Sequence, residues 1–189
     1  MQITIDQQDP RAGLTAHEPQ EAAIKRAMLD VVRHWLREGV DGLRLDIFNA
    51  IYKDASFADN PFSLRPLPSE DNPDGFFQHN KYTIDQRDTL DFACELRAAV
   101  DEVAAQDGVP RFLVGEAFGS PASLRRYCGP QGNGLHLVFL FDFLTATYSA
   151  AGYRRLIERF EVEFPDPLQP TYVLENHDRT RSLSRVSGD

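Results

Sequence analysis

Positive charge is scarce in this chain: 20 Lys and Arg stand against 29 Asp and Glu, for a net charge of −9. Nucleic-acid binding relies on clustered Lys and Arg, so no nucleic-acid partner is expected. No run approaches the ~20 consecutive apolar residues of a membrane span, and no membrane association is expected either. Met1 to Pro10 lacks the pattern of a signal peptide, which points to a cytoplasmic protein. Cysteine is nearly absent. Cys94 and Cys128, 34 residues apart, match neither a metal nor a redox spacing and read as packed or free thiols. Internal repeats and low-complexity tracts are missing too. What remains, 42% apolar and 26% charged residues, is the balance of a globular domain with a sizeable core.

Within that composition, acids recur at the ends of apolar runs. In Gly39–Asn49, Leu43, Leu45 and Ile47 alternate with Gly42, Arg44 and Asp46. A two-residue period predicts a strand over 41–48 with Arg44 and Asp46 on one face, their Cα atoms roughly 6.5 Å apart. The guanidinium would then hold the carboxylate ionised. Taken alone, this is as readily a structural ion pair as part of a site. Leu113-Val114-Gly115-Glu116 ends in the same way, and Tyr172-Val173-Leu174-Glu175 runs into Asn176-His177-Asp178. Apolar strands that each finish in an acid suggest a single catalytic face.

The rest of the chain supplies crossover elements for those strands. Pro19 opens a helix on whose apolar stripe Ile24, Ala27, Met28, Val31, Trp35 and Leu36 are expected to cover the sheet, and Gly39 ends it. Residues 49–88 form a long excursion with Phe57, Phe62, Phe76, Phe77 and Tyr82. Packing of these aromatics onto the body of the protein is the favoured reading, and stacking on sugar rings the other. A helix over Asp88–Gln106, capped by Asp88 or Thr89, presents Leu90, Phe92, Ala93, Leu96, Val100 and Val103. It leads into a strand over 111–115. A short helix from Ser120-Pro121, a strand over 135–144, a helix over 152–160 and a strand over 171–175 complete the order. Strands alternating with helices predict an α/β fold with a parallel sheet. Residues 1–16 carry no usable periodicity and stand apart from 17–189.

The Gly42-Leu43-Arg44-Leu45-Asp46, Gly115-Glu116-Ala117 and Asn176-His177-Asp178 segments, spaced by 70 and 62 residues between their acids, resemble three ordered signature segments of the α-amylase family, glycoside hydrolase family 13. The resemblance implies a partial (β/α)8 barrel, approximately strands 4 to 7 with their helices, in residues 17–189. A complete barrel typically takes about 250 residues. The family's strand-3 segment, with its aspartate and histidine, has no counterpart here. The stretch therefore reads as a fragment of an enzyme, doubtfully active alone, for which the missing strands would be needed to complete the site.

Glycoside hydrolysis requires one ionised and one protonated carboxyl group. Arg44 beside Asp46 suits the latter to be the nucleophile. An apolar setting for Glu116, with no base next to it in sequence, suits that residue to donate a proton. The resemblance implies the same roles and a retaining outcome. It also implies that Asp178 stabilises the transition state, that His177 bonds the same sugar, and that Arg181 contacts the sugar or neighbouring carboxylates. The Asp46–Asn60 region is similar to α-glucosidases and oligosaccharide hydrolases, which implies an oligosaccharide or α-glucoside substrate, no cofactor and no metal. Transglycosylase or phosphorylase activity, a non-catalytic relative and a divalent-metal centre are the alternatives. Arg44 on the same face as Asp46 opposes the last, because a fixed cation repels a metal ion.

Overall fold

A computed structural model describes residues 17–64, 67 and 77–187. The expectations for residues 1–16 and for Phe76 lie outside these. Helix α1 (His17–Arg37) leads into β1 (Gly42–Leu45), and the long excursion then runs to α2 (Arg87–Asp107) and β2 (Phe112–Gly115). A short α3 (Pro121–Arg125), β3 (Leu137–Leu140), α4 (Ala150–Glu163), β4 (Thr171–Tyr172) and α5 (Ser182–Ser187) follow. The strands form one parallel sheet in the order β1-β2-β3-β4. This is the expected α/β architecture: successive strands joined by helical crossovers bring all their carboxyl ends to one edge. That edge carries Asp46 and Glu116.

Helix boundaries follow local chemistry. Gly108, at φ 74°, takes the left-handed position that closes α2. The Ser120 and Ser149 hydroxyls accept N–H bonds from Ser123 and Gly152 at the starts of α3 and α4. The start of α2 departs from expectation, because Asp88 lies inside the first turn and Gln86 precedes the helix without a side-chain cap.

The core lies between the sheet and its helices. Phe92, Ala93, Leu96, Val100 and Val103 of α2 are buried, as its periodicity predicts. They meet Leu113, Leu135, Val138 and Leu140 of the sheet region and Leu36, Phe48, Leu124, Phe160 and Phe164 from the covering elements. Each large side chain removed from water in this way contributes ~1.5–3 kcal/mol.

The phase of α1 differs from the prediction. The buried stripe is Leu29, Val32 and Leu36, while Ile24, Ala27, Met28, Val31 and Trp35 face outward. The helix carries two apolar stripes, and the one with Leu29 and Val32 is buried, flanked by ion pairs from Lys25 to Glu95 at 2.7 Å and from Arg33 to Glu102 at 2.9 Å on α2. All four strands are shorter than expected, β2 by the single residue Arg111. β1 stops at Leu45, where Ile47 turns into left-handed geometry at φ 41°. β3 gives way to a 3-10 turn over Phe141–Leu144, in which Phe143 packs against Tyr153 and Tyr172. β4 ends at Tyr172. In the excursion, Phe57 and Phe62 are exposed rather than packed on the sheet, with Phe62 stacked on Phe77 at 6.1 Å.

One buried cation joins three elements at the opposite edge. Arg111, just before β2, donates to the Leu36 carbonyl at the end of α1 (2.9 Å) and to Asp107 at the end of α2 (2.5 Å). The guanidinium and the Val109 N–H hold the Asp107 carboxyl down at about 2, from an ordinary 3.8. A depressed folded-state value contributes stability that is fully present above pH 3.8 and lost as pH falls towards 2. Asp107→Asn should therefore lower the melting temperature at neutral pH and flatten its decline over that acid window, as scanning calorimetry at stepped pH would measure. An unchanged acid limb would contradict this role.

Candidate active site

The site is assembled by the pairing of β1 with β2. In register, Arg44 lies opposite Val114 and Leu45 opposite Gly115. Backbone pairing continues past the strand ends: Glu116 N–H donates to Leu45 O (2.8 Å), and Phe48 N–H donates to Glu116 O (2.7 Å). Two peptides that run on together beyond the sheet bring the Asp46 and Glu116 side chains to the same place. Gly42, first residue of the Gly42-to-Asp46 segment, allows this approach. A Cβ there would sit 2.5 Å from the Phe112 carbonyl oxygen on the facing strand.

Arg44 bridges both acids. Its Nη1 lies 2.7 Å from Asp46 Oδ1 and its Nη2 lies 2.7 Å from Glu116 Oε2. The expected pairing of Arg44 with Asp46 is present, while the base that the local sequence of Glu116 lacks arrives from 72 residues away. Glu116 is buried, its side chain 4% exposed, whereas that of Asp46 is 64% exposed. Ile47 N–H also reaches Glu116 Oε2, at 3.4 Å. Left-handed geometry is uncommon for a β-branched residue, and Ile47 adopts it directly after Asp46.

These surroundings drive the two carboxyls apart. Burial, followed by the hydrogen bond to Asp46, pushes Glu116 above the ordinary range, although Ile47 N–H and Arg44 pull the other way. Asp46 is held below the ordinary range, first by the hydrogen bond from Glu116 and then by Arg44. When the pair holds a single proton, these opposite shifts place it on Glu116 and leave the charge on Asp46.

The other expected residues lie on the loop after β4. His177 Nε2 is 3.4 Å from Asp178 Oδ1, and both side chains are exposed. His177 comes near enough to help lower Asp46. Asp178 has contacts with Asn176 and His177 but none with the Asp46–Glu116 pair. Arg181 pairs with Glu175 at 3.3 Å, and the same carboxylate accepts the Ser182 N–H at the start of α5. The structure joins Arg44, Asp46 and Glu116 directly and brings His177 near Asp46, while the contacts of Asp178 and Arg181 stay within the loop after β4. Sequence reasoning did not foresee that Arg44 serves both acids. The only available signal was register between two strands far apart in the chain. The guanidinium also occupies the position between the carboxylates that a divalent ion would need.

A parallel α/β sheet whose strand ends carry a split acid pair defines the class of protein. The alpha amylase catalytic-domain model matches residues 13–189, and the chain belongs to that family, glycoside hydrolase family 13. It is 32% identical to Maltase A1 of Drosophila melanogaster over 173 residues, covering 86% of this chain and 30% of that protein. It is 30% identical to a salivary alpha-glucosidase of Anopheles gambiae over 172 residues, covering 87% and 29%. Among solved structures, the alpha-glucosyl transfer enzyme XgtA aligns with a TM-score of 0.72 at 32% identity, over 87% of this chain and 30% of that one. The chain thus spans about 30% of the length of these relatives.

Gly42→Ala should force β1 away from β2 or distort the Phe112 peptide, at a cost of ~1–3 kcal/mol typical of overpacking. The shift should loosen the Arg44–Glu116 bond. Denaturant unfolding and Arg44 side-chain NMR would measure both effects, and an unperturbed Arg44 signal would contradict the proposed dependence.

Proposed function

We propose that this chain carries the acid pair of a retaining α-glucoside hydrolase, with Asp46 as nucleophile and Glu116 as general acid and base. The observation that carries this reading is one arginine bridging an exposed and a buried carboxyl at 2.7 Å each, surroundings that shift the two acids in opposite directions. Retaining enzymes keep their carboxyls close, about 5–5.5 Å apart, whereas inverting ones separate them by about 6.5–9.5 Å to admit a water. Carboxyls close enough to be bridged by one guanidinium, at 2.7 Å each, favour the first arrangement.

In the proposed reaction, an Asp46 carboxylate oxygen attacks the anomeric carbon while Glu116 gives its proton to the glycosidic oxygen. The glycosidic bond breaks, and the glucosyl group is left esterified to Asp46. Glu116, now ionised, takes a proton from water, whose oxygen displaces Asp46 and restores both groups. Arg44 keeps Asp46 ionised and is a positioning residue for both acids. The family resemblance suggests Asp178 for transition-state stabilisation and His177 and Arg181 for holding sugar hydroxyls. Similarity to alpha-glucosidases and a maltase supports an α-glucoside or oligosaccharide substrate. Similarity to an alpha-glucosyl transfer enzyme supports a second reading, in which a sugar hydroxyl replaces water in the second step.

In a context that supplies the strands needed to complete the site, Asp46→Ala should abolish turnover, and azide should restore glucosyl transfer with inversion. Glu116→Gln should slow natural glucosides about 100-fold or more and slow nitrophenyl glucosides less, since a good leaving group needs little protonation. Equal losses on both substrate types, with glycosylation rate-limiting, would contradict the acid role. The pH profile should be a bell. Activity rises as Asp46 ionises, below the ordinary carboxylate range, and falls as Glu116 deprotonates above it. Replacement of Arg44 by Met should move the acid limb upward, and an unmoved limb would exclude its assigned part.

A further inference from the structure

The ladder between β2 and β3 begins on a side chain. The Phe112 and Glu116 N–H groups donate to Asp41 O and Leu45 O on the β1 side. Successive peptides of a strand point to opposite neighbours, so the Leu113 N–H faces the β3 side. β3 starts too late to receive it, because its first paired residue, Leu137, stands opposite Val114. The residue before that start is His136, and its Nδ1 accepts the Leu113 N–H at 3.1 Å. Strand pairing adds only Val114 with Leu137 and Gly115 with Val138. The imidazole thus extends a short ladder by one rung.

An imidazole nitrogen can accept only while it carries no proton, so His136 is neutral here with its hydrogen on Nε2. A second proton would set an N–H against the Leu113 N–H. That donor belongs to a fully buried residue and would be left without an acceptor. Charge works in the same direction. Arg97 of α2 fastens the loop before β3 by donating to Gly132 O and Gly134 O at 3.2 Å each. Among the described residues, Arg97 and Asp101, both on α2, are the charged groups that act on the imidazole. Burial first, and then the Arg97 cation, hold His136 below the ordinary histidine value of 6.5, and Asp101, paired with Arg97 at 2.9 Å, opposes them.

We infer that His136 is an acid-sensitive latch between β2 and β3: neutral, it holds the start of the strand that leads to Glu116, and protonated, it releases it. A folded-state value below the unfolded 6.5 contributes stability that is fully present above pH 6.5 and is lost as pH falls through the folded value. This window opens at a higher pH than that of Asp107, which begins at 3.8.

The test uses the full chain labelled with nitrogen-15. Long-range proton–nitrogen correlation spectra of the His136 ring identify its protonated nitrogen. Amide exchange of Leu113, corrected for the intrinsic effect of pH, reports the bond. Protection of Leu113 should fall about tenfold as His136 takes up its proton, the loss expected for one orphaned buried donor. Phe112, bonded on the β1 side, should change less. His136→Asn offers an oxygen acceptor near the Nδ1 position without a titrating group, so its Leu113 protection should not vary over this range. His136→Leu should show the low protection at every pH. A ring that carries its proton on Nδ1 at neutral pH overturns the inference. So does Leu113 protection that ignores the His136 titration, or that falls equally in His136→Asn. The ring spectra and the asparagine variant decide the matter even where His136→Leu does not fold.

Discussion

The site depends on one cation shared by two carboxyls. Arg44 touches Asp46 and Glu116 at the same 2.7 Å, yet the two acids respond in opposite directions. Burial explains the difference. Glu116 sits behind the strand ends, where an ionised group is poorly solvated, so burial and the nearby Asp46 charge outweigh the pull of the guanidinium. Asp46 projects into solvent and receives the hydrogen bond of its protonated neighbour. A single arginine therefore sustains an acid and a base side by side.

That arrangement is built by backbone more than by side-chain packing. The Glu116 N–H bond to Leu45 and the Phe48 N–H bond to Glu116 carry the β1–β2 pairing around the bend at Ile47. Gly42 lets the strands close. The excursion beyond is tied to the same place, since the buried Asn49 side chain donates to the Phe118 carbonyl and its own carbonyl accepts the Asp85 N–H. Tyr127 in turn donates to the Asp85 carboxylate. These bonds tie the long loop to the residues that follow each acid.

The Arg44–Asp46 pair was legible in the sequence, because it needs only near neighbours, although Asp46 falls in the turn after β1 and not in the strand. So were the parallel order and the buried face of α2, where one apolar stripe had no rival. The phase of α1 was not legible, since the helix carries two apolar stripes and which one is buried depends on the surface that α2 offers. The Arg44–Glu116 contact was hidden for a related reason: it depends on Leu45 facing Gly115, a register that neither strand encodes alone. Exposed aromatics such as Phe62 misled because large apolar area ordinarily argues for burial.

The central claim is that the proton of the acid pair belongs to Glu116. Carbon-13 NMR of the side-chain carboxyls, followed through a pH titration, tests it without substrate and without mutation. Because the two groups are coupled, each should show the other's step as a minor inflection. The account predicts that the main transition of Glu116 lies above the ordinary carboxylate range and that of Asp46 below it. Titration of both within the ordinary range, or in the reverse order, would contradict it.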